Sequence, residues 1–218
     1  MAGQQKMGIV SRILVAVGAL LYLGVFIFPI WKISLDAPQY PEGLGMYIWI
    51  NHITGERPND LENINTLNHY IGMDEIDPHA IPEFDIMPWI VVALVVLGLI
   101  AAIIGNRKLV VTWIGLTLVA AILGIYDFWK WEYDYGHNLN PNAPIKIPGM
   151  SYQPPLLGTK QLLNITATSL PYWGTYLIVA GILLGVLALL IDRKRAVKTA
   201  GITRNLQTQH SAATAKVA

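Results

Sequence analysis

Apolar and polar residues fall along this chain in long blocks. Four apolar runs, at about residues 13–31, 87–105, 109–126 and 172–191, contain no charged side chain. At about 1.5 Å rise per residue, each is long enough as a helix to cross a hydrocarbon core of about 30 Å. Between them lie two polar connections, residues 32–86 and 127–171, and a three-residue turn, Asn106-Arg107-Lys108. The pattern predicts an all-α integral membrane protein: a four-helix transmembrane bundle carrying two structured loops. The second and third runs, joined by so short a turn, must form an antiparallel hairpin. The first run follows Lys6 and Arg12 and so competes with a signal peptide. It exceeds the usual 7–15-residue signal core, and no small-x-small cleavage site follows Pro29-Ile30-Trp31. An uncleaved span is the expectation.

Within the first connection, Asp36-Ala-Pro-Gln-Tyr-Pro-Glu-Gly43 is turn chemistry. Leu44–Ile53 is a β-like or short helical run. Leu61, Ile64, Leu67 and Ile71 recur at helical spacing, which predicts a short amphipathic helix over Asp60–Tyr70. Pro58-Asn59-Asp60 marks its start and Gly72 its end. The second connection is rich in Pro and aromatic residues. Residues 1–192 read as one four-span domain. Residues 193–218 form a basic tail without apolar periodicity, expected to be mobile and cytoplasmic.

Charge sets the orientation. The N-terminus, the short turn and the tail hold ten Lys/Arg and one acid, Asp192; the two connections hold five Lys/Arg and thirteen acids. Basic residues are retained on the cytoplasmic side. Both termini are therefore expected in the cytoplasm, with residues 32–86 and 127–171 outside. Trp31, Trp89, Trp129, Trp131 and Trp173 stand at the outer ends of the spans, where an aromatic belt belongs. Gly181-x-x-x-Gly185 matches a helix-packing motif that is common by chance.

Composition then removes whole classes of function. Only 13% of the residues are charged and the net charge is +1, so nothing points to nucleic acid. With no cysteine, the chain has no disulfide, no thiol nucleophile and no thiolate metal site. No histidine or charged residue lies within a span, which argues against a transmembrane haem and against an ion path through the bundle. No Ser/His/Asp order, phosphate-binding glycine loop or His-Glu-x-x-His occurs, and no enzyme is expected. Asn164-Ile-Thr is a chance-level glycosylation sequon.

The remaining chemistry is soft-ligand chemistry. His52, His69, His79 and His137 lie in the connections, and Met46, Met73, Met87 and Met150 lie there or at their edges. His69 and Met73, at i and i+4, would leave one face of a helix. Imidazole with thioether suits copper, above all cuprous copper. Asp74 and Glu75 stand where they could orient a ligand imidazole. The plainer alternative is that His69 ends a helix and Met73 fills a gap beneath it. In the second connection, Pro141, Pro144 and Pro148 stiffen the chain between His137 and Met150, which could serve a metal site or a protein-docking surface. Lys130 and Glu132 read as charges on an interfacial helix end.

Three segments carry a family resemblance: Asp36–Leu44, Asn65–Met73 and Trp131–Leu156. They are similar to small four-span bacterial membrane proteins associated with nitrous oxide reductase gene clusters, some joined to a copper-chaperone lipoprotein domain. The resemblance covers about residues 13–190. It implies a non-enzymatic accessory protein of the bacterial inner membrane that handles copper on the periplasmic side for a copper enzyme or its maturation machinery. It points to His69, Met73, His137 and Met150 as metal ligands. In this chain a short basic tail, and no chaperone domain, follows the fourth span. The alternative expectation is a structural subunit of a larger membrane complex, docked through its Pro- and aromatic-rich loops.

Overall fold

The computed structural model describes residues 6–215, and its element order corrects the expected fold class. The chain is mixed α/β, not an all-α bundle. Its elements are α1 (Ile9–Leu21, prolonged by a 3-10 turn, Tyr22–Phe26), β1 (Trp31–Ala37), β2 (Tyr40–Ile48), β3 (Ile53–Gly55) and α2 (Asp60–Ile71). They continue with α3 (Glu83–Ile104), α4 (Arg107–His137), β4 (Gly158–Leu162), β5 (Ile165–Pro171) and α5 (Trp173–Ala215). The strands form one antiparallel sheet in the order β3-β2-β1-β5-β4. The reason lies in the alternation of the connections. Ile33 and Leu35 of β1 and Leu44, Met46 and Ile48 of β2 turn to one face, while Lys32, Ser34 and Tyr47 turn to the other. That period of two suits a sheet with one buried face.

Four helices are long and apolar enough to cross a membrane: Ile9–Phe26, Glu83–Ile104, Arg107–His137 and Trp173–Arg195. The first apolar run is split. Its last residues leave the helix and Trp31 opens β1, because an unbroken apolar run does not separate a helix from a half-buried strand. At the other extreme, α4 continues eleven residues past the apolar stretch that ends at Tyr126. Its 31 residues measure about 46 Å against a core of about 30 Å, so its far end stands clear of the base. The backbone of α5 likewise stays helical to Ala215.

The helical base is packed through glycine. A Cβ on Gly18 would lie 2.7 Å from the Gly181 carbonyl oxygen, and one on Gly181 only 2.4 Å from that of Gly18. Helices α1 and α5 thus touch backbone to backbone. Gly185 gives room to the Trp113 ring, so both glycines of the packing motif act inside this chain. Trp113 is fully buried, stacks on Tyr22 at 5.4 Å and donates its indole N–H to the Leu94 carbonyl at 3.0 Å. Tyr22 donates to the Thr117 hydroxyl, which donates to the Trp113 carbonyl. The buried polar groups of the base therefore pair with one another. At its far end the Arg12 guanidinium donates to the Ala102 and Ile103 carbonyls, closing the C-terminus of α3. A cation there is worth about 0.3–1 kcal/mol.

The sheet forms a cap over the opposite end. Residues Trp31–Asp36 of the first connection pair with Thr166–Pro171 of the second, so both polar connections stand on one side of the helices. A collar fixes cap to base: the backbone N–H groups of Tyr172 and Gly174 donate to the Ile30 and Pro29 carbonyls, and Ile30 N–H donates to Ile48. Helix α2 covers the apolar face of the sheet through Ile64. Its first turn is tied to β2 by the Asp60 carboxylate, which accepts from the Gly45 and Arg57 amides at 3.0 and 3.2 Å. Asn59 precedes it in the left-handed region (φ 69°) without a side-chain cap.

The backbone contact predicts a sharp contrast between two like substitutions. Gly181→Ala should lower the melting temperature by roughly 3–10 °C, since the carbonyl it meets cannot swing aside. Gly115→Ala, with no atom within 4 Å of the new methyl, should not lower it. Thermal unfolding of the two variants in one detergent checks this.

Candidate functional site

The far end of α4 lies against the sheet. Phe128, Trp131 and Tyr135 pack into the apolar cluster beneath β1 and β2, with Phe128 edge-on to Trp31 at 5.4 Å and Trp131 on Tyr135 at 4.4 Å. Glu132 sits on the same side, one turn after Phe128 and one turn before Gly136. Gly136 lets the chain at Gln153 come close: a Cβ there would be 2.4 Å from the Gln153 backbone. The approach is held by Tyr152 N–H donating to the Gly136 carbonyl.

Between sheet, α2 and α4 a small, partly open cavity of about 70 Å³ remains. Ile33, Leu35 and Met46 line it from the sheet, and Met73, Glu132 and Tyr152 from the other elements. Glu132 is 0% exposed, and neither carboxylate oxygen has a hydrogen-bond partner; the hydroxyl of Tyr152, 3% exposed, also has none. These apolar surroundings push the Glu132 carboxyl up to about 8, because ionisation there would strand a charge away from water. At neutral pH it is mostly the uncharged acid.

Of the expected ligands, Met73 lines this cavity, and His69, His137 and Met150 are not among its lining residues. His69, one turn before Met73, is exposed, with its ring edge-on to Tyr70 at 6.2 Å. The two were expected on one helical face, but α2 stops at Ile71 and Gly72 takes φ 83°, which turns Met73 off that face. His137 ends α4, exposed, stacked on Tyr133 at 3.9 Å with Nδ1 2.9 Å from the Tyr133 carbonyl. Met150 is half-buried in the coil between α4 and β4, its amide donating to Ile147. Met87 packs against the core of the base. His52 stacks on Trp49 at 5.2 Å, and burial lowers its pKa. The side chains of His79 and His210 are outside what the structure describes. Among the described residues no group of three or more His, Asp or Glu is placed to hold a metal.

The connections that carry these residues do meet. Ile145 N–H donates to the Tyr70 carbonyl at 2.9 Å, Asn140 N–H to Gly72 at 2.7 Å, and the Tyr135 hydroxyl to Glu75 at 2.9 Å. Sequence reasoning missed Glu132, taken as one of a pair of charges on a helix end. The signal was the line Phe128, Glu132, Gly136 at i, i+4, i+8: an acid flanked on one face by a large ring and a glycine. No protein-family model and no curated protein matches the chain.

A raised carboxyl makes a signed prediction. The unfolded chain loses the Glu132 proton near the ordinary 4.5 and the folded protein near 8, so the folded state binds more protons between those values. Stability must fall as pH rises through that window. Glu132→Gln, which keeps the shape and cannot ionise, removes this term. The melting temperature of the wild type should drop relative to Glu132→Gln between pH 5 and pH 8, measured side by side.

Proposed function

We propose that this chain is a non-enzymatic accessory protein of a bacterial cytoplasmic membrane, handling copper on the outer side for a copper enzyme. One observation carries the reading: Met46 and Met73, from different segments of the first connection, line one small cavity in the cap. Thioethers bind cuprous copper well and hard cations poorly. The excess of Lys/Arg at the base supports an orientation with the cap outside. In this reading the donors begin from Met73 and Met46, and the exposed His69 and His137 are left for ion capture or docking.

A second reading, a structural subunit of a membrane complex, is favoured by a separate feature. Tyr126, Trp129, Tyr133 and His137 stack in sequence along the outward side of α4, all exposed. Such a ladder could dock a partner protein at the membrane surface.

Purified full-length protein, supplied with Cu(I) under reducing conditions, should retain copper stoichiometrically through gel filtration. A folded protein that retains none would contradict the copper reading. Co-purification of a partner that survives Met46→Leu with Met73→Leu, but is lost on Trp129→Ala with Tyr133→Ala, would favour the structural one.

A further inference from the structure

We propose that Glu132 and Tyr152 complete, with Met46 and Met73, a site inside the cap for one soft monovalent cation, cuprous or silver. This rests on the copper reading above and names its site. The first argument is the accounting of polar atoms. Asp60, Asn68, Thr117 and Ser169 are all buried, and each has a hydrogen-bond partner. Among the described residues, the buried side-chain polar atoms without one are the two oxygens of Glu132, the Tyr152 hydroxyl and the Trp131 indole nitrogen. All four belong to residues that line this cavity; the three oxygens can face a cation, whereas the Trp131 N–H is a donor and needs an acceptor. Native folds rarely leave such atoms unpaired, and their concentration at one cavity marks a place where something else supplies the partner.

Charge and size then select the occupant. A single carboxyl group lines the cavity; once it gives up its proton to solvent it balances a monovalent ion, whereas a divalent ion leaves a net positive charge among apolar side chains. Calcium requires six to eight oxygen ligands, which this lining lacks. The two thioethers are soft donors that suit a d10 monovalent ion, and the carboxylate, a hard donor, supplies the balancing charge. At about 70 Å³ the cavity takes an ion or a few waters and is far below the roughly 300 Å³ or more of organic-ligand pockets.

The test titrates full-length protein in detergent with Ag(I), which is redox-inert, and with Cu(I) against a competing chelator. A single site is expected. Met46→Leu, Met73→Leu and Glu132→Gln should each weaken binding by at least about ten-fold. His69→Ala with His137→Ala should leave it unchanged. X-ray absorption of the loaded protein should show sulfur and oxygen neighbours together. Met→Leu conserves volume, so those two variants carry the test if Glu132→Gln does not fold. Binding that ignores Met46→Leu, Met73→Leu and Glu132→Gln, or that is lost with the two histidines, overturns this site and spares the copper reading. A folded wild type that binds neither ion overturns both.

Discussion

The antiparallel ladder between β1 and β5 governs the rest of the molecule. Six residue pairs, from Trp31–Pro171 to Asp36–Thr166, join segments more than one hundred residues apart in sequence. Because β1 leaves the first helix directly and β5 enters the last helix directly, this ladder also fixes the ends of α1 and α5 beside each other. The same two helices then meet backbone to backbone at Gly18 and Gly181. The cap therefore grows out of the helical base and shares its framework, with Ile30 and its carbonyl at the joint.

The sheet needs its apolar face covered, and two elements cover it. Helix α2 is supplied by the first connection. The other cover is the far end of α4, which continues past its apolar run to lay Phe128, Trp131 and Tyr135 against β1 and β2. That extension carries Glu132 into the interior. An unpaired buried carboxylate would be destabilising by on the order of several kcal/mol, so without an ion the neutral acid is the stable form. Everything chemically unusual in the cap follows from this placement: the unpaired oxygens, the raised carboxyl and the small cavity that Met46 and Met73 help to line.

The base was legible in the sequence and the cap only partly. Four uncharged apolar runs announce helices because their length alone excludes most other structures. The short helix over Asp60–Ile71 and its stop at Gly72 were likewise written in apolar spacing and a glycine. The sheet was not recognised, although Lys32-Ile33-Ser34-Leu35 alternates, because β1 emerges from the tail of an apolar run that masks the change of period. The strands β4 and β5 hide among prolines and threonines, and their pairing with β1 is a non-local event that no window of sequence contains. Met73, expected as a ligand, lines the cavity of the cap, while α2, which carries His69, ends before it at the left-handed turn of Gly72. Glu132 was passed over because burial of an acid depends on what packs against it, here a strand and a loop distant in the chain.

The joining of the two connections across β1 and β5 can be measured directly. The chain has no cysteine, so Ser34→Cys with Thr168→Cys introduces one pair at directly opposed positions on the polar face of the sheet. Opposed antiparallel positions fall within disulfide reach. Mild oxidation should link the pair efficiently within one chain, and the link should hold the two connections together after proteolytic cleavage between them. Failure of this pair to link in folded protein, or preferential linking of Ser34→Cys to a cysteine at Ala167, would contradict the ladder and with it the shared cap.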